Sequence, residues 1–380
     1  MKSVVHIIAG LGRGGAEHAL TRLLESPAVR RDYRHTVISL TDGGVYARRL
    51  ATAGVPVISL GAEKRLRLPS LPFELIRRLR ALKPDLVQTW MYHADLLGGL
   101  AAQCAGRPPV LWGIRSFDLK RGAKLPTRMV QKACAWTSAW LPTLILCVAE
   151  ASRRNHTALG YEAGRIRVVP NGFEVGDLPE AERVQAFRAV CGLQPAHRVV
   201  GCVGRFHPAK DHRNFVLAAA QVAEHFADVR FMMVGPGLIW ENRELRDWIE
   251  EAGLTARMVL LGEREDVPSC MAAMDVFCSS SRTEAFPQVV GEAMALAKPV
   301  VVTDVGDSAL VVGDTGIVVA KEDPLHLAQG LMRLLHLDTD ERVIWGQRAR
   351  QRIRDEFSFD RTVAKTLSAY AEALSGHQQR

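Results

Sequence analysis

The sequence contains no uncharged apolar run of about 18 residues, so nothing in it reads as a membrane-spanning helix. Its nearest approach, residues 133–149, is broken by Pro142 and several polar side chains. No leader precedes the first apolar run, since Met1-Lys2-Ser3 passes directly into VVHIIAG, and a cytosolic protein is the expectation. The seven cysteines are odd in number and form no C-x-x-C pair. Several lie inside apolar runs (LILCVAE, VVGCVGR, VFCSSS), where a reduced thiol acts as a small hydrophobe. No Cys/His cluster has zinc spacing. Asp338-Thr339-Asp340 fits a D-x-D metal pattern, but between two helix-like stretches it reads better as a helix cap. A recognition helix and an aromatic RNA-binding motif are also missing, which excludes nucleic acid as the expected partner.

What is present is a 380-residue chain, 48% apolar and 24% charged, enough for two globular domains with their own cores. Its charge is uneven. Up to Val175 there are 26 Lys+Arg against 12 Asp+Glu; beyond it there are 23 against 29. A basic first half points to an anionic membrane face or a phosphorylated substrate. The basic residues cluster at Arg115, Lys120, Arg121, Lys124, Arg128 and Lys132, with Leu125, Met129, Trp136 and Trp140 interleaved at helical spacing. That pattern fits a membrane-surface element, and equally a solvated helix face over ordinary core. Lys64, Arg65, Arg67, Arg77, Arg78, Arg80 and Lys83 extend the basic surface.

Strand-like runs alternate with helix-like segments in the βαβ rhythm of a doubly wound α/β sheet. The first half offers VVHIIAG, HTVISL, VPVISL, DLVQTW, PVLWGIR, TLILCVA and RIRVVP. After Asn171-Gly172-Phe173-Glu174 an acidic linker follows, and the rhythm restarts with RVVGCVGR, VRFMMVG, RMVLLGE, DVFCSSS, PVVVTD and GIVVA.

Candidate functional residues fall where ligands bind such sheets, in the turns leaving the strands. The first turn, AGLGRGGAEHAL, fits G-x-G-x-x-G through Gly10, Gly12 and Gly15, the mark of an NAD(P)-dependent oxidoreductase. Its ribose-binding acid would be Asp42, which comes late. His93 follows DLVQTW and precedes a helix; Asp95 reads as a helix cap. Gly204-Arg205 ends another strand, and Lys210 opens the next helix, so two cations converge on one face. In TEAFPQVVGEAMA, Pro287 is expected at the first helical position, with Glu284 beside free amides and Glu292 about a turn and a half into the helix. Two carboxylates at that spacing suit the two ends of an elongated polar ligand.

This ordered set resembles the retaining GT-B glycosyltransferases of glycosyltransferase family 4 (group 1), whose E-x(7)-E signature matches Glu284 and Glu292. The resemblance implies two Rossmann-like doubly wound domains with a ligand cleft between them. An acceptor domain would span 1–172 and a nucleotide-sugar domain 173–356, with a helix in 357–380 crossing back. It implies donor-phosphate contacts from Arg205 and Lys210, a donor-sugar role for Glu284, ribose binding by Glu292 and sugar contacts by His93. Gly14, Gly15 and Glu17 would form a phosphate or acceptor loop, and Gly204, Arg264, Phe286 and Pro287 would complete the donor pocket. Pro236, in the loop 233–237, lacks the amide a phosphate would want there. The implied reaction needs no metal or other cofactor. It moves a sugar from a nucleotide diphosphate sugar, UDP-linked by preference, to a glycan or lipid-linked acceptor in cell-envelope polysaccharide synthesis. The protein is then expected in the cytoplasm, peripheral to the membrane. The alternatives are a nucleotide-sugar epimerase of the same fold, the oxidoreductase above, and a non-catalytic subunit of an envelope complex. The last would have no use for leaving-group cations.

Overall fold

The computed structural model of the chain describes residues 1–12, 14–41, 43–62, 69–115 and 125–378. Asp42, Lys64, Arg65, Arg67, Lys120, Arg121 and Lys124 lie outside the described residues. The chain divides into two units: Met1–Asn171 with Asp360–Arg380, and Gly172–Phe359.

In the first unit the apolar runs form a parallel sheet of β1 (Lys2–Ile8), β2 (Tyr33–Ser39), β3 (Val57–Ser59), β4 (Leu86–Trp90), β5 (Val110–Ile114), β6 (Leu144–Cys147) and β7 (Ile166–Val168). Its spatial order is β3-β2-β1-β4-β5-β6-β7. Every residue of β4, β5 and β6 is buried, as a parallel strand covered on both faces must be. One face packs on Leu75, Leu79, Ala101, Ala102 and Cys134 from the crossover helices. The other face, through Val4, Leu86, Leu111 and Leu146, is closed by Ala369, Tyr370, Ala373 and Leu374 of the last helix, Phe359–Gln378. The Tyr370 hydroxyl donates to Gln88 Oε1, and Thr362 Oγ1 donates to the Pro170 carbonyl at 2.9 Å.

The second unit repeats the scheme with β8 (Arg198–Val203), β9 (Val229–Val234), β10 (Met258–Gly262), β11 (Val276–Ser279), β12 (Val300–Thr303) and β13 (Ile317–Val319), in the order β10-β9-β8-β11-β12-β13. All pairings in both sheets are parallel. Each sheet therefore winds outward in two directions, and the reversals fall between β1 and β4 and between β8 and β11. At such a reversal the two following loops diverge and leave a crevice at the strands' carboxyl ends.

Candidate active site

Both loops at the second reversal carry chemistry. Gly204 and Arg205 leave β8, and Ser280 to Glu284 leave β11. Arg205 is exposed, and His212 Nε2 donates to its carbonyl at 3.1 Å. Burial keeps His212 neutral, with a pKa down to about 4, and its ring stacks on Phe206 at 5.9 Å. Lys210 ends a short 3-10 turn, Pro208–Lys210, and the helix proper starts at His212. Its side chain runs along Gly204, where a Cβ would lie 3.4 Å from Cγ, Cδ and Cε. Lys210 Nζ meets Glu284 Oε1 at 2.5 Å, and the Ser281 hydroxyl donates to the same oxygen at 2.7 Å.

This ion pair is largely buried, the side chains retaining 24% and 13% of their exposure. Such a pair offsets its desolvation only when its geometry is held. Here the two loops are fastened together. Arg282 N donates to the Ala209 carbonyl at 2.8 Å, Arg282 Nε to Asp211 Oδ2 at 2.8 Å, and Ser280 Oγ to the Lys210 carbonyl at 2.9 Å. Asp211, nearly fully buried, adopts φ +48°, a left-handed conformation that aspartate tolerates better than most L residues. Behind Glu284 the backbone is closely approached by Gly306 at φ +58°, where a Cβ would run into the Glu284 carbonyl. The three serines and Arg282 lay unread in CSSSRTE, although a run of hydroxyls before an acidic residue is a source of donors.

The surrounding residues differ in part from the sequence reading. Pro287 is the cap and the helix is Gln288–Ala295, so Glu292 lies in its second turn, half-buried, with Gln288 Nε2 3.4 Å from its Oε1. Glu284 is satisfied by Lys210 and Ser281 rather than by helix amides. Phe286 and Pro287 are buried. The Phe286 ring stacks on Phe173 at 5.7 Å and meets Phe357 at 6.1 Å, so it serves the core and leaves only backbone to a ligand. Arg264 is exposed but held by Asp266 through two bonds of 2.8 Å, which raise its pKa, and it lies 5.8 Å from the Phe187 ring. The Gly235 amide is spent on the Gly262 carbonyl at 2.7 Å, and the Pro236 carbonyl accepts from Phe206 N at 2.7 Å. Asp338 caps the helix Thr339–Glu356 in a reciprocal box with Glu341.

In the first unit the glycine loop leaves β1 and His93 follows β4, so both flank that sheet's reversal. Gly14 caps the helix Gly15–Glu25, and the Glu17 carboxylate folds back into the space a Cβ on Gly14 would take. His93 is exposed in the first turn of the helix Tyr92–Cys104, just after Met91 at φ +71°. Asp95 is no cap. It is fully buried, accepts from Thr89 Oγ1 at 2.5 Å and Gly113 N at 3.4 Å, and burial pushes its carboxyl up to about 7. Arg115 likewise leaves the surface role read for it. Its guanidinium lies 4.9 Å over the Trp90 ring and donates to Asn171 Oδ1 at 2.6 Å, and burial brings its pKa down to about 10. Arg128 and Lys132 are exposed on the helix Leu125–Thr137.

Residues 13–176 match the family described as Glycosyltransferase Family 4, and residues 197–337 the family described as Glycosyl transferases group 1. The chain is 26% identical over 308 residues to the Escherichia coli UDP-Gal:alpha-D-GlcNAc-diphosphoundecaprenol alpha-1,3-galactosyltransferase, covering 79% of this chain and 78% of that one. It is 27% identical over 364 residues to the 2-deoxystreptamine glucosyltransferase of Streptomyces kanamyceticus, covering 92% of each. Among solved structures, Anabaena HepE in complex with UDP has the same fold, with a TM-score of 0.83, 24% identity, and coverage of 97% of this chain and 100% of that one. None of these relatives is named as an epimerase or an oxidoreductase.

Proposed function

Because this chain belongs to the group 1, family 4 glycosyltransferases, and so transfers sugars from nucleotide-sugar donors to glycan or lipid-linked acceptors, we propose how its residues divide that reaction. The observation that carries the proposal is the fastening of Lys210 and Glu284, 2.5 Å apart, beside exposed Arg205 at the carboxyl edge of β8 and β11. In this reading the second unit binds the donor, a UDP-sugar, as the name of the E. coli relative suggests. Arg205 and Lys210 face the diphosphate. Glu292 takes the ribose hydroxyls, and Glu284 orients both the donor sugar and the Lys210 ammonium.

As the anomeric C–O bond breaks, its electron pair passes to the departing phosphate oxygen. Fixed cations oppose the charge that develops there, without reorganisation of water and without a metal ion. The acceptor hydroxyl forms the new C–O bond on the same face and gives its proton to that phosphate oxygen, so configuration is retained. The first unit binds the acceptor, with His93 and the Gly14-Gly15-Glu17 turn at its reversal touching the sugars. The acceptor is a lipid-diphosphate-linked or otherwise anionic glycan, met at the cytosolic face of a membrane.

Thermal unfolding in the presence of UDP, GDP, CDP, ADP and NAD(P)H tests the donor assignment, because a ligand of the native state stabilises by RT ln(1 + [L]/Kd). UDP is expected to raise the melting temperature, and Glu292→Ala to abolish the rise. A response to NAD(P)H alone would overturn the reading. Activity that is lost in EDTA and restored by a divalent ion would contradict metal independence.

A further inference from the structure

The helix Leu125–Thr137 has apolar side chains on both of its sides. Its inner side meets the core through buried Gln131, Cys134 and Thr137 and half-buried Val130 and Ala135. Its outer side presents Leu125 at 69% exposure, Met129 at 64% and Trp136 at 79%, with Trp140 beyond its end at 51%. The spacing of four and seven residues sets Leu125, Met129 and Trp136 on one side of the helix, with Lys132 between the last two, and Trp140 follows in the turn after it. Soluble proteins scatter single exposed apolar residues, but several large ones gathered on one side of a helix and its following turn mark a surface that something covers.

Charge indicates what covers it. From Leu125 to Ala149 the chain has no Asp or Glu, and its two cations, Arg128 and Lys132, are exposed beside these side chains. Two copies of the chain meeting face to face would bring four like charges together. An anionic bilayer would instead pair with them while taking up the apolar side chains. Tryptophan also favours the headgroup level, where the ring is buried and its N–H stays wet. We infer that the outer face of the helix Leu125–Thr137, with Trp140, lies in the headgroup layer of an anionic membrane and holds the first unit on the surface that carries its acceptor. The inference extends the lipid-linked-acceptor reading above, but its test does not depend on turnover.

The test is co-sedimentation of the full chain with vesicles of phosphatidylcholine alone, and of equal parts phosphatidylcholine and phosphatidylglycerol, at low salt. Binding to the anionic vesicles only is expected. Arg128→Gln with Lys132→Gln should lower the partition coefficient roughly 30-fold, the loss of two cations near an anionic surface. Met129→Ser with Trp136→Ser should abolish binding while leaving the melting temperature and its rise with UDP intact; both sites are exposed, so the fold should not suffer. Wild-type protein that stays in the supernatant with anionic vesicles overturns the inference, as does unchanged binding by both double variants. So does a concentration-dependent dimer that Trp136→Ser dissolves, which would assign the face to a second copy. If vesicle binding holds but UDP gives no stabilisation, the donor assignment falls and this inference stands.

Discussion

The Lys210–Glu284 pair gives the sharpest test at the scale of single residues. If Lys210 opposes charge on the departing diphosphate, its contribution is made in the transition state. Lys210→Met should therefore lower kcat by about 10²- to 10³-fold with a smaller change in donor KM. Glu284→Gln keeps the shape but removes the counter-charge that orients Lys210, and the same kinetic split is expected. Asp95 supplies a test by pH. Its folded pKa lies above the unfolded value of about 3.9, so the cost of burying its charge is absent below that pH and complete above about 7. Asp95→Asn should accordingly gain stability relative to wild type as pH rises, by on the order of 4 kcal/mol across the interval. Burial also lowers His35 and His212 to about 4, so they lose stability as pH falls, but equally in both proteins. Urea titrations at several pH values would read the difference, and a flat difference would mean that Asp95 stays ionised when folded.

At the scale of elements, the helix Gln288–Ala295 is fixed by what it touches far along the chain. Gly291 lies against the ring of Phe173, and a Cβ there would overlap it. Alanine is the better helix former by about 1 kcal/mol, yet overpacking a buried ring costs ~1–3 kcal/mol. Gly291→Ala should thus lower the melting temperature in calorimetry, against its helix propensity. Elements of this kind were legible in the sequence to different depths. The strands could be read because a parallel strand buried on both faces is an uninterrupted apolar run, and VVHIIAG or PVVVTD cannot be much else. Their carboxyl-terminal turns followed, and with them the neighbourhoods of His93, Arg205, Lys210 and Glu284. The directions of side chains in and beside those turns did not follow. Phe286 turns inward because Phe173 and Phe357 are there, Arg115 because Trp90 and Asn171 are there, and Asp95 because Thr89 and Gly113 supply donors. Local patterns carry no record of which partners the fold brings up, near or far along the chain, so a cap and a surface cation are the local expectation where the fold has a buried acid and a stacked guanidinium.

At the scale of the molecule, the helix Phe359–Gln378 completes the first unit. Tyr370 is fully buried and edges onto Tyr33 at 5.3 Å, so Tyr370→Ala should cost ~3–5 kcal/mol by the usual price of an aromatic core truncation. Hydrogen exchange would localise the loss. Amides of β1, β4 and β5 should lose protection while those of β8 to β12 keep it, and uniform loss would mean that the units unfold as one.

That helix has a consequence for synthesis. Most of the first unit is translated before the second, yet a face of its sheet stays bare until residues beyond 360 have been made, with the whole second unit translated in between. On the ribosome the unit begun second can finish folding first, while the unit begun first waits with Val4, Leu86 and Leu111 uncovered. A nascent chain of this kind is open to aggregation and chaperone capture at its amino-terminal half. A stop codon shortly before Phe359 would release a finished second unit tethered to an unfinished first one.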